Sequence, residues 1–160
     1  MGQSYEISVQ VVPARPTAVI ARQTTWAEFP GLWRPLLDEV YAVLARNGEP
    51  RPGCNVMLYL DDVPHVEVGV EVAAPFAPSG AEICSALPAG PVATTVHRGP
   101  YDQLDVAHQA VRAWCAAQGR KLAGPRWEVY GDWHADRAEL ETTVSYLIRP
   151  DRADSPPTAI

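Results

Sequence analysis

The sequence predicts an α+β fold made of two similar halves, because the same order of elements occurs twice along its 160 residues. Each half contains a predicted strand, an amphipathic helix and two further strands. Phe29 and Leu32 open the first helical stripe, and Tyr101 and Leu104 open the second about 72 positions later. A half of this kind buries little apolar surface alone, so we expect the two halves to share one sheet, with any ligand-binding cleft where they meet.

The first half contains several segments with the composition or the polar–apolar alternation typical of strands. These predicted strands are residues 5–12, 17–24, 55–62 and 65–73. Between the second and the third of them, apolar residues recur with the period of an α-helix, which indicates one helix in the middle of this half.

Pro35 limits where this first helix begins. Proline lacks a backbone N–H and is tolerated in a helix only within the first turn. We therefore predict a regular helix over about residues 34–46, with Phe29 and Trp33 in the segment that leads into it. It is expected to end at residues 47–48, an Asn-Gly pair of the kind that closes helices.

A connector rich in proline, alanine and glycine, residues 73–82, precedes the second half. The predicted strands of the second half are residues 91–98, 126–132 and 139–148. Between the first two of them, an apolar stripe over residues 101–115 predicts a helix that ends at Gln118-Gly119. We expect a single domain over residues 1–149, with repeats at about 4–73 and 83–149. Residues 150–160 are predicted to form a flexible tail.

The composition is typical of a globular protein, with 47% hydrophobic and 20% charged residues. A formal net charge of −6 argues against binding to a phosphate backbone and is compatible with attracting cations. The three cysteines are scattered without metal-ligand spacing, and His97 and His108 are interpreted as ordinary surface or packing residues. No apolar run suits a signal peptide or a membrane span, so we expect a cytoplasmic protein without metal or cofactor.

An ordered series of motifs in the second half carries a family resemblance. VHRGPYDQL occupies residues 96–104, GPRWEVY residues 124–130 and ELETTVSY residues 139–146, with Trp114 and Gly119 between the first two. Together these motifs resemble the GyrI-like superfamily, which includes the effector-binding domains of AraC-type and MerR-type multidrug regulators.

The resemblance extends from about residue 4 to residue 149. It implies two strand–helix–strand–strand modules that form one curved antiparallel sheet, with two helices on one side and a cleft between them. It also implies that small, lipophilic and cationic compounds bind in this cleft, above an acidic residue surrounded by aromatic rings. The positions that match the acidic residues of the family are Glu128 and Glu141. The regulators carry a DNA-binding helical module that is not visible in this sequence, so direct binding to nucleic acid is not expected.

Strand geometry leaves two interpretations of Glu128 open. Along the predicted strand Glu128 and Tyr130 share one face and Trp127 lies on the other, so a solvated glutamate and a pocket glutamate both fit the pattern. A hairpin turning about residues 134–135 would place Glu128 opposite Glu141. Two opposed carboxylates repel each other unless a cation lies between them.

Aromatic residues are candidates for the walls of such a pocket, and packing in the core is the alternative for them. Trp33 opens a helix and Trp133 lies in a turn, so for these two residues we favour the pocket. For Trp26 and Phe29 the two roles are equally open. Further candidates are Tyr41, Met57, Tyr59, Tyr101 and Tyr130.

The leading hypothesis is a stand-alone multidrug-binding protein that takes up hydrophobic, aromatic, often cationic compounds, with Glu128 as counter-charge. An alternative on the same scaffold is a hydrolase that detoxifies cyclopropanoid, DNA-alkylating compounds. Glu128 would then act as general base with a raised pKa, with Glu141 as its candidate partner. A third alternative is a protein that interacts with gyrase as an inhibitor. Homodimerisation and a protein partner are left open.

Overall fold

The computed structural model describes residues 4–46, 53–73 and 83–151. The strands are β1 Ser8–Val12, β2 Arg15–Gln23, β3 Asn55–Tyr59, β4 His65–Glu71, β5 Ile83–Leu87, β6 Gly90–Arg98, β7 Leu122–Tyr130 and β8 Glu141–Ile148. The helices are α1 Phe29–Arg46 and α2 Leu104–Ala117, and short 3₁₀ turns occupy Tyr101–Gln103 and Arg137–Glu139. The expected end of the first helix, most of the connector and most of the tail lie outside the described residues.

The eight strands form one antiparallel sheet in the order β1-β6-β8-β7-β3-β4-β2-β5. The predicted α+β class, with one curved sheet and two helices, is therefore confirmed. The two halves meet where β3 pairs with β7 at the centre of the sheet. In that pairing Met57 lies directly opposite Glu128, so the corresponding positions of the two repeats face each other across the junction.

The two outermost strands are exchanged between the halves. β1 begins the first half but pairs with β6 of the second, and β5 begins the second half but pairs with β2 of the first. The sequence did not predict β5, because residues 83–87 follow directly on the segment that was interpreted as a connector.

Helix α1 begins earlier than predicted, at Phe29 rather than near residue 34, so Pro35 lies in its second turn. The ring of a proline crowds the carbonyl group four residues earlier, which here belongs to Gly31. The helix nevertheless continues through Pro35 to Arg46. The expectation that proline is confined to the first turn is therefore wrong for this helix.

The buried side chains form three clusters. One lies between α1 and the sheet, and the second lies between α2 and the sheet. The third covers the face of the sheet that is turned away from both helices, and Trp127 belongs to it. Strands β1 and β2 hold the first and the seventh place in the order of the sheet, but only Pro13 and Ala14 join them. Because so short a link cannot span a flat sheet, the sheet curls until its two edges approach each other.

Gly69 of β4 lies against the backbone of β2 with no space for a side chain. A Cβ atom at this position would lie 1.9 Å from the carbonyl oxygen of Ala18, which no side chain could tolerate. Within the described residues, no helix is long and apolar enough to cross a membrane.

Candidate functional site

A cavity of about 1270 Å³ opens between the two helices, above the junction of β3 and β7. Helix α1 contributes Phe29, Trp33, Leu37 and Tyr41 to its walls, and β3 contributes Met57 and Tyr59. From the second half come Tyr101, Leu104, Glu128, Tyr130 and Trp133. The cavity therefore needs both repeats, and seven of its twenty described lining residues are aromatic.

Glu128 lies at the base of this cavity and is only 4% exposed. Its Oε1 atom accepts hydrogen bonds from the hydroxyl groups of Tyr59, at 2.8 Å, and of Tyr130, at 2.7 Å. Its Oε2 atom lies 2.7 Å from Nε2 of His108. A buried carboxylate requires partners of this kind, because its burial without them costs on the order of several kcal/mol.

These contacts determine the charge of the carboxyl group. Burial acts to raise the pKa of Glu128, but the hydrogen bond and charge of His108 and the bonds from Tyr130 and Tyr59 outweigh it, so the pKa is lowered. Burial and the charge of Glu128 raise the pKa of Tyr59 and of Tyr130 well above the ordinary value. At neutral pH the site therefore contains an ionised carboxylate held by two protonated tyrosines.

The aromatic rings around Glu128 contact each other edge to face. The ring of Phe29 lies 5.6 Å from that of Tyr59, and the ring of Tyr101 lies 5.4 Å from that of Tyr130. Each tyrosine that holds Glu128 is thus itself fixed by an aromatic neighbour on the helical side of the cavity.

Acidic residues outnumber basic residues along the described lining. Besides Glu128, the carboxylates are those of Asp38, Asp102 and Asp132, and the one basic side chain is that of Arg34. Arg34 is paired with Asp38 at 3.3 Å, so it does not compensate the remaining acids. An apolar cavity with this charge distribution attracts cations.

Most of the predicted site residues come together in this cavity. Those that line it are Phe29, Trp33, Tyr41, Met57, Tyr59, Tyr101, Glu128, Tyr130 and Trp133. Trp26 does not line it: its ring packs 5.6 Å from that of Tyr59, and it is 45% exposed. The guanidinium of Arg126 stacks over the rings of Trp26 and Tyr59, at 5.5 and 5.8 Å. Trp26 therefore packs on Tyr59 from outside the cavity.

Glu141 lies outside the cavity, which corrects the predicted register. Glu128 faces Val144 instead of Glu141, a shift of three positions. The reason is the long connection between β7 and β8, which contains a 3₁₀ turn instead of a tight hairpin. An odd shift moves a side chain to the other face, so Glu141 is exposed and pairs with Arg98 at 3.2 Å.

His108 was missed by the sequence interpretation. Its Nδ1 atom lies 2.7 Å from the hydroxyl oxygen of Tyr146, and Nη1 of Arg112 donates to the same oxygen at 3.0 Å. A signal was present, because His108 lies in the apolar stripe of α2 between Leu104 and Val111. A histidine in such a stripe needs polar partners in the core that the helix covers.

Comparison with known proteins shows two kinds of similarity. The sequence model of the GyrI-like small molecule binding domain matches residues 5–149. A search of curated protein sequences finds no match. Among solved structures, the C-terminal domain of EcmrR superposes with a TM-score of 0.74 at 21% identity, over 92% of this chain and 99% of that domain.

Other solved structures are similar over most of the chain. EcmrR in a DNA complex has a TM-score of 0.70 at 21% identity, over 90% of this chain, which spans 57% of that longer protein. SAV2435, solved with bound tetraphenylphosphonium, has a TM-score of 0.66 at 15% identity, over 90% of this chain and 94% of that one. A hydrolase from Listeria innocua has a TM-score of 0.63 at 10% identity, over 90% of this chain and 92% of that one. At these identities the superpositions establish the fold.

Proposed function

Because the chain belongs to the family of GyrI-like small molecule binding domains, we propose that it binds hydrophobic aromatic cations in the cavity between α1 and α2. Glu128 supplies the counter-charge, and the surrounding rings supply contact area. The observation that carries this proposal is an ionised carboxylate, 4% exposed, at the base of a large aromatic cavity.

The chemistry of the lining supports a cationic ligand. A cation placed over a tyrosine or tryptophan face gains about 0.5–2 kcal/mol per contact, and more when water is excluded. The described lining offers rings on both helical sides and an excess of carboxylates. Contacts of this type depend little on direction, so they favour a range of ligands that share charge and hydrophobicity.

One structural neighbour provides an independent reason to choose the probe. SAV2435 was solved with tetraphenylphosphonium, a hydrophobic cation with four aromatic rings. We therefore propose tetraphenylphosphonium as a ligand of this chain, and triphenylphosphine oxide as its neutral counterpart of similar shape.

The proposal is tested by isothermal titration calorimetry of both compounds against wild type and Glu128→Gln. We expect the substitution to weaken binding of the cation roughly 10- to 100-fold, because the amide lacks the charge, and to change binding of the neutral compound little. Glu141→Gln is the matched control, since this exposed carboxylate lies outside the cavity. Equal losses for the two compounds in Glu128→Gln would show that Glu128 does not act through its charge.

A hydrolase on the same scaffold is supported less well by the geometry. A general base at neutral pH needs a raised pKa and a free oxygen, whereas the pKa of Glu128 is lowered and both of its oxygens accept hydrogen bonds. Incubation with a cyclopropanoid alkylating agent, followed by mass spectrometry, distinguishes the two activities. A binder returns the compound unchanged, and a hydrolase gives a water-added product over many turnovers.

A further inference from the structure

A chain of three hydrogen bonds runs from the surface of α2 to the cavity. Arg112 Nη1 donates to the hydroxyl oxygen of Tyr146 at 3.0 Å, that hydroxyl group lies 2.7 Å from His108 Nδ1, and His108 Nε2 lies 2.7 Å from Oε2 of Glu128. Tyr146 is 2% exposed and the His108 side chain 12% exposed. In the described residues, none of Arg112, Tyr146 and His108 lines the cavity, so this chain of bonds reaches a ligand through Glu128.

The donors and acceptors of this chain fix its protons when the imidazole is neutral. Arginine can only donate, so the oxygen of Tyr146 accepts from Arg112 and its own single proton is available for Nδ1 of His108. His108 then carries its proton on Nε2 and donates it to Glu128, which as an ionised carboxylate only accepts. In this arrangement the hydroxyl proton of Tyr146 and the ring proton of His108 each have an acceptor, and Glu128 keeps its full negative charge.

A protonated imidazole changes the charge of the site. The second proton would lie on Nδ1, so the oxygen of Tyr146 would accept from His108 and from Arg112, two cations, at once. His108 and Glu128 would together be neutral, and the imidazolium would bind Oε2 of the carboxylate from outside the cavity lining. Protonated His108 and a cationic ligand therefore compete for the same carboxylate.

We infer that His108 couples cation binding to the release of one proton: in the cation-bound state the imidazole is neutral, with Nε2–H on Glu128, and in acid the imidazolium replaces the ligand as counter-charge. His108 is thus a positioning residue that sets the preference for cations over neutral compounds, and the Tyr146 hydroxyl group, which accepts from Arg112, can donate to Nδ1 of the neutral ring. This inference rests on the proposed function of the cavity. Histidine is suited to the role because it ordinarily changes charge between about pH 5 and 8.

Other charged and titratable groups surround α2 on the same side of the sheet. They are Tyr5 before β1, Tyr59 of β3, His97 of β6, Tyr101 and Asp102 of the 3₁₀ turn, Asp105 and Arg112 of α2, Arg126, Glu128 and Tyr130 of β7, and Tyr146 of β8. His97 is bonded to Tyr5 and to the carbonyl of Pro100, and Arg126 is bonded to Asp62. Glu128 and Tyr146 are the groups bonded to His108.

The test measures the affinity of tetraphenylphosphonium and of triphenylphosphine oxide by calorimetry from about pH 5.5 to 8.5. For wild type we expect the affinity for the cation to increase up to about tenfold for each unit that the pH rises on the acid side. At higher pH the affinity should reach a plateau. The neutral compound should show no such slope. Titrations in two buffers of different ionisation enthalpy should show close to one proton released per cation bound on the acid side.

Two substitutions assign the proton. His108→Gln keeps a side-chain donor for Glu128 but cannot titrate, so the pH slope for the cation should disappear. Tyr146→Phe removes the hydroxyl that donates to Nδ1 of neutral His108, so the plateau should move to higher pH. The matched control is His134→Gln, an exposed histidine outside the cavity lining, which should keep the wild-type slope.

The outcomes separate this inference from the proposed function. Cation binding with the same slope in wild type and His108→Gln, or an equal slope for the neutral compound, would overturn the inference and leave the proposed function standing. Failure of both compounds to bind at every pH would overturn both. A circular dichroism spectrum of each variant shows that it is folded, and ¹⁵N NMR of the imidazole in the cation complex should show the proton on Nε2 alone; a doubly protonated ring would contradict the inference.

Discussion

At the scale of single residues, Glu128 is ionised inside the protein because three side chains donate to its two oxygens. His108 contacts one oxygen, and Tyr59 and Tyr130 contact the other. The other acids along the described lining, Asp38, Asp102 and Asp132, are exposed. Glu128 is therefore the position at which a ligand charge would be least screened by water.

The pH dependence of stability should report this arrangement. Because the pKa of folded Glu128 lies below the ordinary value of 4.5, its ionised form stabilises the folded state above that pH, and this stabilisation is lost as the pH falls through the lowered pKa. We expect the difference in unfolding free energy between wild type and Glu128→Gln to shrink as the pH falls below about 4.5. Urea denaturation at a series of pH values measures it.

Glu141→Gln is again the control for that series, because it removes a half-exposed carboxylate beside Arg98. Its difference from wild type should be small throughout, as for other surface pairs. A wild-type advantage over Glu128→Gln that keeps growing as the pH falls below about 4.5 would contradict the lowered pKa.

The sequence located Glu128 and named Tyr59 and Tyr130 among the aromatic candidates, but it missed the third partner, His108. Alternation along β7 placed Glu128 and Tyr130 on one face and Trp127 on the other, as the structure has them, but it could not tell which face the helices cover. The partnership of His108 with Glu128 depends on the distance between α2 and β7, which no local pattern encodes. A polar residue in an apolar stripe was the only available sign.

At the scale of secondary-structure elements, close approach of strands decides which substitutions are tolerated. Gly69 of β4 faces Val19 of β2, and a Cβ atom there would lie 1.9 Å from the carbonyl oxygen of Ala18 and 2.7 Å from the Cα atom of Val19. Both atoms belong to the backbone, so no side chain can move away to make room.

Gly69→Ala should therefore destabilise the protein by about 2 kcal/mol or more, since two strands at the centre of one half must separate. Gly31→Ala is the matched control, because a methyl group at Gly31 meets nothing within 4 Å and alanine favours a helix by about 0.5–1 kcal/mol over glycine. Thermal denaturation of the two variants should shift in opposite directions. A Gly69→Ala protein as stable as wild type would show that β2 and β4 are less close than described.

Local patterns predicted which elements exist better than how they pair. The two helices and most strands follow from periodicity, and the repeat correctly brings Met57 and Glu128 to matched positions. The pairing of β7 with β8 could not be predicted, because register depends on the conformation of the connection between the strands. For the same reason Glu141 was expected beside Glu128, although it faces away from it.

At the scale of the whole molecule, the site is a product of the duplication. Each repeat supplies one helix and one central strand, and the cavity forms where they meet. At matched positions the first repeat supplies the apolar Met57 and the second supplies the charged Glu128. The two halves thus share one architecture, but they contribute an apolar wall and a charge respectively, which is the combination that an amphipathic cation requires.

The exchange of β1 and β5 between the halves has a consequence for cooperativity. Each half is completed by a strand that the other half provides, so neither can lose its structure without exposing an edge of its neighbour. We expect heat to unfold the described domain in a single transition, with a calorimetric enthalpy equal to the van't Hoff enthalpy. Two separate transitions in differential scanning calorimetry would show that the repeats unfold one at a time. A single transition means that the chain behaves as one thermodynamic unit, so a substitution that destabilises either repeat lowers the stability of the whole domain.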